Sequence, residues 1–309
     1  MARFLPRVQM VLAVAVWYVA LWGRLLLAEP FTSWLYHFAW WPLLLLLDGI
    51  LWRRRGWSGI WHRPGEFLRL ACYSVTAWLI FELFNLRLLN WRYINLEPRL
   101  WLRWPGYVLA FATVLPGILF TAEVLKAKGV GNIPRGQPCR FAPWPLVWLG
   151  LGVVFLVLPL MVPGYAFPLV WLAFFFLLDP LVDLLTGDSL TRRFWAGERQ
   201  EPFCLLLAGL VCGFWWELWN FPARSKWIYT LPFFNFGRIF EMPVLGYLGF
   251  LPFALECAVM YEFFRILEQR LALNPWGQRC FYGVQFLFWI IMFAALDAVT
   301  VISFQGQVQ

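Results

Sequence analysis

Charged residues are scarce in this sequence. Of its 309 residues, 14% are Asp, Glu, Lys or Arg, whereas 62% are hydrophobic. No segment is polar over a sufficient length to form a separate soluble domain, and apolar runs able to cross a hydrocarbon core of about 30 Å recur along the chain. The composition therefore excludes an ordinary soluble protein and predicts an all-α integral membrane protein.

Histidine and paired cysteines are also lacking. The chain has only two histidines, His37 and His62, so a histidine-rich metal or haem site is excluded. No two cysteines form a CxxC pair, and most fall within apolar runs, which predicts buried free thiols and no disulfide framework. The six cysteines are Cys72, Cys139, Cys204, Cys212, Cys257 and Cys280.

The net charge of +8 is high enough to suggest a nucleic acid as partner. The basic residues lie in short connections between apolar runs, however, which is typical of membrane topology and contacts with lipid headgroups. Placing the N terminus inside puts most of them inside as well, including Arg53–Arg55 and Arg192–Arg193. We predict a protein of the bacterial cytoplasmic membrane, with its N terminus cytoplasmic and its C terminus outside. Membrane lipid or an isoprenoid, and no nucleic acid, is its expected partner, and the oligomeric state stays open.

Hydropathy predicts about nine transmembrane helices. The first apolar run follows Arg3 and Arg7 and resembles a signal peptide, but we interpret it as an uncleaved span. The predicted spans are residues 10–28, 34–52, 67–86, 104–125, 145–162, 168–185, 202–220, 243–267 and 280–303.

The chain contains an internal repeat. Glu82-Leu83-Phe84-Asn85 and Glu217-Leu218-Trp219-Asn220 share the pattern Glu-Leu-aromatic-Asn. Each copy then runs into Trp-x-Tyr, at Trp91-Arg92-Tyr93 and at Trp227-Ile228-Tyr229. Several separate matches in the same order favour a duplication over chance.

Each copy holds four spans, with residues 10–125 corresponding to roughly 145–267. Because four is an even number, both copies point the same way, related by an axis along the membrane normal. The predicted organisation is a first four-helix repeat at 1–140, a second at 141–270, and a ninth helix with its tail at 271–309.

Four glutamates are the candidate catalytic residues: Glu217, Glu256, Glu82 and Glu241. An ionisable group at membrane depth is costly and marks a functional site by default. If the two copies pack face to face, Glu82 and Glu217 approach one cavity, where one carboxyl could hold a proton while another is ionised, as general acid–base chemistry requires. Glu256 lies near the middle of its span, four residues after Pro252, which is expected to bend the helix.

A structural role is the alternative for these acids. Each glutamate could accept hydrogen bonds from the Trp-x-Tyr segment, or pair with Arg92 or Arg224, and thereby hold the connection in place. The amides beside the glutamates and the nearby rings are the predicted substrate-binding residues: Asn220, Asn85, Trp215, Trp216, Trp219 and Tyr229.

A second acidic group lies at the inner end of the sixth span. Asp179 and Asp183 are four residues apart, so their carboxylates share one helix face and could hold Mg²⁺ against a diphosphate. Helix termination by Pro180 and Gly187 is the alternative, since the first copy keeps only Asp48 here. The prediction is therefore no cofactor, with Mg²⁺ at this aspartate pair as the one exception considered.

These motifs resemble those of intramembrane isoprenoid enzymes. Nine spans with Asp179-x-x-x-Asp183 after an even-numbered span look like the intramembrane prenyltransferases. Pro252-Phe253-Ala254-Leu255-Glu256 and Trp215-Trp216-Glu217 resemble the small membrane lycopene cyclases and related terpene cyclases. That resemblance implies protonation of an isoprenoid double bond by a buried acid, with aromatic rings stabilising the cation.

Three functions are consistent with the sequence. The first is a membrane enzyme that acts on an isoprenoid or other lipid by carboxylate acid–base chemistry in an aromatic intramembrane cavity, as a cyclase, hydratase or transferase. The second is a proton-coupled transporter or lipid-handling protein, which would also suit a parallel duplication with a mid-span carboxyl. The third is a non-catalytic assembly subunit whose polar residues lock helices together.

Overall fold

The computed structural model describes residues 4–132, 136–138 and 145–306. Within these ranges, eight helical segments are long and apolar enough to cross a membrane, which supports the prediction of a helical integral membrane protein. An additional apolar helix, Pro145–Met161, has 17 residues, near the lower limit for a span. Cys139 and the predicted boundary between residues 140 and 141 lie outside the described residues.

The first half of the chain contains five helices and one strand. Its elements are α1 Leu5–Leu25, α2 Leu35–Arg55, α3 Pro64–Leu88, β1 Trp91–Ile94, α4 Leu100–Phe111 and α5 Val114–Ala127.

The second half of the described chain is divided into more elements. Its elements are α6 Pro145–Met161, α7 Pro163–Ala166, a 3-10 helix Phe167–Leu169, α8 Val170–Thr186, α9 Leu190–Trp195, α10 Gln200–Asn220, β2 Lys226–Tyr229, β3 Arg238–Ile239, β4 Met242–Pro243, a 3-10 helix Val244–Gly249, α11 Phe250–Leu271 and α12 Pro275–Val299.

Consecutive long helices run antiparallel, so the bundle has two distinct ends. The strand end carries β1, β2 and the C-terminal segment after α12. The arginine end carries Arg53–Arg55 and Arg192–Arg193. The sequence predicted these groups of residues on opposite sides of the membrane.

Proline placement explains why two predicted spans are broken. Pro116 and Pro252 are each the third residue of a helix, α5 and α11. A proline ring clashes with the carbonyl four residues earlier, which favours the start of a helix in the turn before the proline. Proline does not end every helix, since Pro42, Pro159 and Pro180 lie inside α2, α6 and α8. At the predicted bend before Glu256, a 3-10 helix gives way to the α-helix α11 at Gly249–Phe250.

The connections after α3 and α10 form a small sheet, which the all-α prediction missed. Strands β1 and β2 pair antiparallel, with Trp91 opposite Tyr229 and Tyr93 opposite Trp227. The C-terminal segment lies parallel on the other side of β1, where Ile302 N donates to Tyr93 O at 2.8 Å. The predicted ninth span therefore extended four residues too far, because α12 begins at Pro275, ends at Val299 and is followed by an extended segment.

Close packing of α10 on α11 depends on glycine. Gly209 and Gly213 lie one turn apart on the α10 face that meets Phe250, and a Cβ added at Gly209 would come within 2.0 Å of Phe250 O. Small residues with this spacing let two helix backbones approach in a membrane.

We expect Gly209→Ala to destabilise the protein by about 1–3 kcal/mol, because the added methyl forces the two helices apart. Thermal unfolding in detergent would measure the loss. Gly150→Ala in α6 is the matched control, since a Cβ there meets nothing within 4 Å. Equal melting temperatures for the two variants would contradict this account of the interface.

Candidate active-site cavity

A cavity of about 540 Å³ lies at the strand end between the two halves of the chain. Its volume is within the range of small-molecule sites, about 300–1,000 Å³. We call it the strand-end cavity. Both halves contribute to its wall, which is mostly aromatic; its rings include Tyr36, Trp78, Trp91, Tyr93, Trp171, Trp216, Trp227, Tyr229 and Phe253.

Glu217 is the candidate glutamate that lines this cavity. Its side chain is fully buried near the end of α10. Tyr229 OH donates to Glu217 Oε1 at 2.7 Å, and Trp227 Nε1 donates to Tyr229 OH at 3.0 Å. Glu217 Oε2 has no hydrogen-bond partner among the described residues. One oxygen is therefore held in place, and the other is buried without a protein partner within the described ranges.

Glu82 lies behind the cavity wall. Its Oε1 accepts from Trp78 Nε1 at 3.0 Å, from Trp91 Nε1 at 2.9 Å and from Tyr93 OH. These three donors line the cavity, whereas Glu82 is absent from its wall. The two glutamates therefore do not meet in one cavity as expected. Glu82 instead positions the rings of Trp78, Trp91 and Tyr93, which line the cavity.

Two asparagines fix the strands to the helix ends. Asn85 Nδ2 donates to Trp91 O at 2.9 Å, and its Oδ1 accepts from Asn90 N at 2.9 Å. Asn220 Nδ2 donates to Trp227 O at 2.9 Å, and its Oδ1 accepts from Trp227 N at 3.0 Å. Neither side chain lines the cavity, so both support it from behind through main-chain contacts.

The two strand tyrosines are permanent donors at ordinary pH. Burial, together with the adjacent glutamate, raises the pKa of Tyr93 and the pKa of Tyr229 well above 10. Each phenol therefore keeps its proton and orients one glutamate oxygen.

Glu256 and Glu241 lie outside the cavity wall. Glu256 is fully buried within α11, where its Oε1 accepts from Phe174 N at 2.8 Å and its Oε2 has no partner in the described part of the chain. Glu241 pairs with Lys226 at 2.5 Å, and Lys226 itself lines the cavity. Neither contacts Glu217 in the way a shared acid–base site would require.

Of the three tryptophans predicted to bind substrate, one lines the cavity and two lie elsewhere. Trp216 lines the cavity. Trp215 stacks on Trp219 with 5.0 Å between ring centroids, and both rings pack against Trp17 of α1. Trp215 and Trp219 therefore join α10 to α1, away from the cavity.

Sequence reasoning missed several wall residues. Tyr36 in α2 and Trp171 in α8 line the cavity beside the predicted Trp216. Each comes from the second helix of its half and not from the repeated motif. An aromatic residue in the first turn of both second helices is the signal that could have identified them.

The aspartate pair forms the connection between α8 and α9. Asp179 accepts from Leu190 N at 2.9 Å and from Thr191 N at 3.2 Å. Asp183 forms an ion pair with Arg192 at 2.5 Å. Among the described residues, no group of three or more His, Cys, Asp or Glu is arranged to hold a metal ion. The contacts of both aspartates match the helix-termination alternative.

The described cysteines are free: Cys72, Cys204, Cys212, Cys257 and Cys280. Cys280 is exposed, which differs from the buried position expected for it.

Comparison with known proteins gives no relative from which a role could be transferred. No protein-family model, curated protein or solved structure matches this chain.

Proposed function

We propose that this protein is a membrane enzyme that protonates a double bond of an isoprenoid or other unsaturated lipid, with Glu217 as the acid. The observation that carries the proposal is a buried carboxyl group with one oriented oxygen and one unpartnered oxygen, in the wall of an aromatic cavity. The proposed site contains Glu217, Tyr229, Trp216 and Trp227, with Glu82, Asn85 and Asn220 as positioning residues.

The proposed chemistry needs no co-reactant. The Glu217 O–H bond breaks as its proton adds to one carbon of the double bond, which leaves a cation on the other carbon. Rings such as Trp216 and Trp227 stabilise a nearby cation by about 0.5–2 kcal/mol each. Loss of a proton from a neighbouring carbon to the Glu217 carboxylate forms a new double bond and restores the acid. The result is an isomerised lipid, or a cyclised one if a second double bond of the same lipid attacks the cation and forms a carbon–carbon bond before the proton is lost.

A pseudo-twofold arrangement of nine spans is part of the proposal. The asparagine contacts, the tyrosine–glutamate contacts and the order of helices occur once in each half. The strand register also supports it, because a half-turn that exchanges β1 with β2 carries the pair Trp91–Tyr229 onto the pair Trp227–Tyr93. The cavity then lies on the axis, where both halves contribute to its wall.

Hydrogen exchange into a lipid product tests this function. Purified protein in lipid nanodiscs would be incubated in D₂O with a lipid extract of its own host membranes, and the lipids analysed by mass spectrometry. We expect a product isomer that carries deuterium on carbon, because the Glu217 proton exchanges with solvent between turnovers. An unchanged lipid profile without deuterium on carbon would refute the proposal.

A second cavity favours transport as the alternative function. It has a volume of about 410 Å³, opens at the arginine end, and is lined by charged residues that include Glu123, Lys126 and Arg193. On α11, Phe253 lines the strand-end cavity and Ala258 lines the second one, a separation of about 7.5 Å along the helix. Glu256 lies in this thin partition.

If the protein carries protons between these cavities, Glu256→Gln should abolish proton flux into liposomes. The amide cannot release a proton, yet its oxygen can still accept from Phe174 N, so the fold should persist. A pH-sensitive dye inside the liposomes would measure the flux. Glu29→Gln is a control at an exposed ion pair with Arg224, in neither cavity wall. Equal flux through the wild-type protein and Glu256→Gln would exclude this route.

A further inference from the structure

The wall of the strand-end cavity is much thinner on one side than on the other. On the side formed by β1 and α4, the lining side chains are buried, and Trp91, Tyr93, Arg103 and Tyr107 are each at most 7% exposed. On the side formed by the second half, other lining residues have exposed side chains. These are Pro168, Phe234, Leu245 and Leu248.

The closed side owes its burial to α12 and the C-terminal segment. Arg103 Nη2 contacts Asp297 Oδ2 at 2.8 Å, and Arg103 Nη1 also donates to the main chain at Glu97 O, at 2.6 Å. Tyr107 OH donates to Asp297 Oδ1 at 2.8 Å. The extended segment after α12 then covers β1. Among the described residues, no corresponding helix covers the side formed by the second half.

The exposed lining residues are all apolar and come from three segments of the second half. Phe233, in the connection that contains Phe234, packs on Phe167 with 5.0 Å between ring centroids, and Pro168 follows directly. Leu245 and Leu248 lie one turn apart on the 3-10 helix before α11. Phe234 and Leu248 are 55% and 59% exposed, so a single layer of side chains separates the cavity from the surroundings of the bundle.

We infer that Pro168, Phe234, Leu245 and Leu248 form a lateral opening through which an amphiphile with a long hydrocarbon tail enters the strand-end cavity directly from the bilayer. The inference rests on the proposed function and specifies its substrate class. An aqueous mouth would be bordered by polar side chains, whereas these four residues are apolar. The polar groups available for the other end of such a ligand, Glu217, Tyr229 and Lys226, lie within the cavity wall.

Photolabelling from the membrane tests the lateral opening. Geranylgeraniol that carries a diazirine would be supplied in phosphatidylcholine vesicles and photolysed after varied times with protein reconstituted in the same lipid. Labelled cavity peptides would be quantified by mass spectrometry. We expect Leu245→Trp/Leu248→Trp to label about tenfold more slowly than the wild-type protein, because bulkier rings narrow the opening. Leu287→Trp, at an exposed position of α12, should label at the wild-type rate.

A second double variant shows whether slower labelling comes from a narrower opening or from a misfolded protein. Leu245→Ala/Leu248→Ala widens the same opening and should label faster than the wild-type protein. Equal rates in the narrowed, widened and wild-type proteins would overturn the inference, as would faster labelling by a short, water-soluble diazirine alcohol. Labelling needs no turnover, so the wild-type protein can be labelled at the expected rate even if it forms no lipid product. A failure of catalysis is thereby distinguished from a failure of the opening.

Discussion

Glu217→Gln is expected to lower turnover of the lipid substrate by about 10²–10⁴-fold, the usual contribution of a positioned general acid. The amide oxygen can still accept from Tyr229 OH, so the cavity wall should keep its shape. What the variant loses is the proton that the reaction requires. Product formation in nanodiscs, followed by mass spectrometry, would measure the effect.

Asp188→Asn is the matched control for this substitution. It removes a carboxylate from an ion pair with Arg193 that is exposed at the opposite end of the bundle. We expect wild-type turnover from it. If Glu217→Gln were as active as Asp188→Asn, Glu217 could not be the acid, and the proposed mechanism would be wrong.

Arg103→Leu is expected to cause the largest loss of stability, about 3–5 kcal/mol, because it leaves a buried carboxylate without its cation. Two hydrogen bonds join Arg103 to Asp297, at 2.9 Å and 2.8 Å, and both side chains are largely buried. Trp104 Nε1 also donates to Asp297 Oδ2, at 2.9 Å. Thermal unfolding in detergent would measure the loss.

The double variant Arg103→Leu/Asp297→Leu separates loss of the pair from loss of one partner. Removing both charges leaves no buried unpaired ion, so the double variant should be more stable than Arg103→Leu alone. Glu66→Gln removes an exposed pair and should cost at most about 1 kcal/mol. A double variant less stable than the single one would show that the contact stabilises by more than charge balance.

The helical class and most helix positions were predictable because they depend on local apolar runs. Breaks in the predicted spans could also have been read from Pro116 and Pro252, since a proline constrains its own helix. The strands could not, because the strand partners of Trp91–Ile94 are segments much later in the chain. Residues such as Arg92 and Lys226 also made both segments look like interfacial loops.

The candidate site was predicted only in part, for a related reason. Glu217 and Trp216 were predicted as site residues because they belong to the repeated segment and because the carboxyl group of Glu217 is costly to bury in a membrane. Which glutamate meets the cavity depends on side-chain direction at the helix end. In the first half, Trp78 of α3 and Trp91 of β1 cover Glu82. In the second half Gly213, four residues before Glu217, occupies the place that Trp78 takes before Glu82, so this position supplies no indole donor to Glu217.

The ladder between β1 and β2 has a mechanical consequence. It is continued at both ends, where Thr230 N donates to Asn90 O at 2.8 Å and Ser225 Oγ donates to Asn95 O at 2.6 Å. Main-chain hydrogen bonds therefore join the two halves at the strand end of the bundle. A relative motion of the two halves would therefore turn about this ladder. Such a motion would widen the arginine end first and leave the strand-end cavity as the more rigid region.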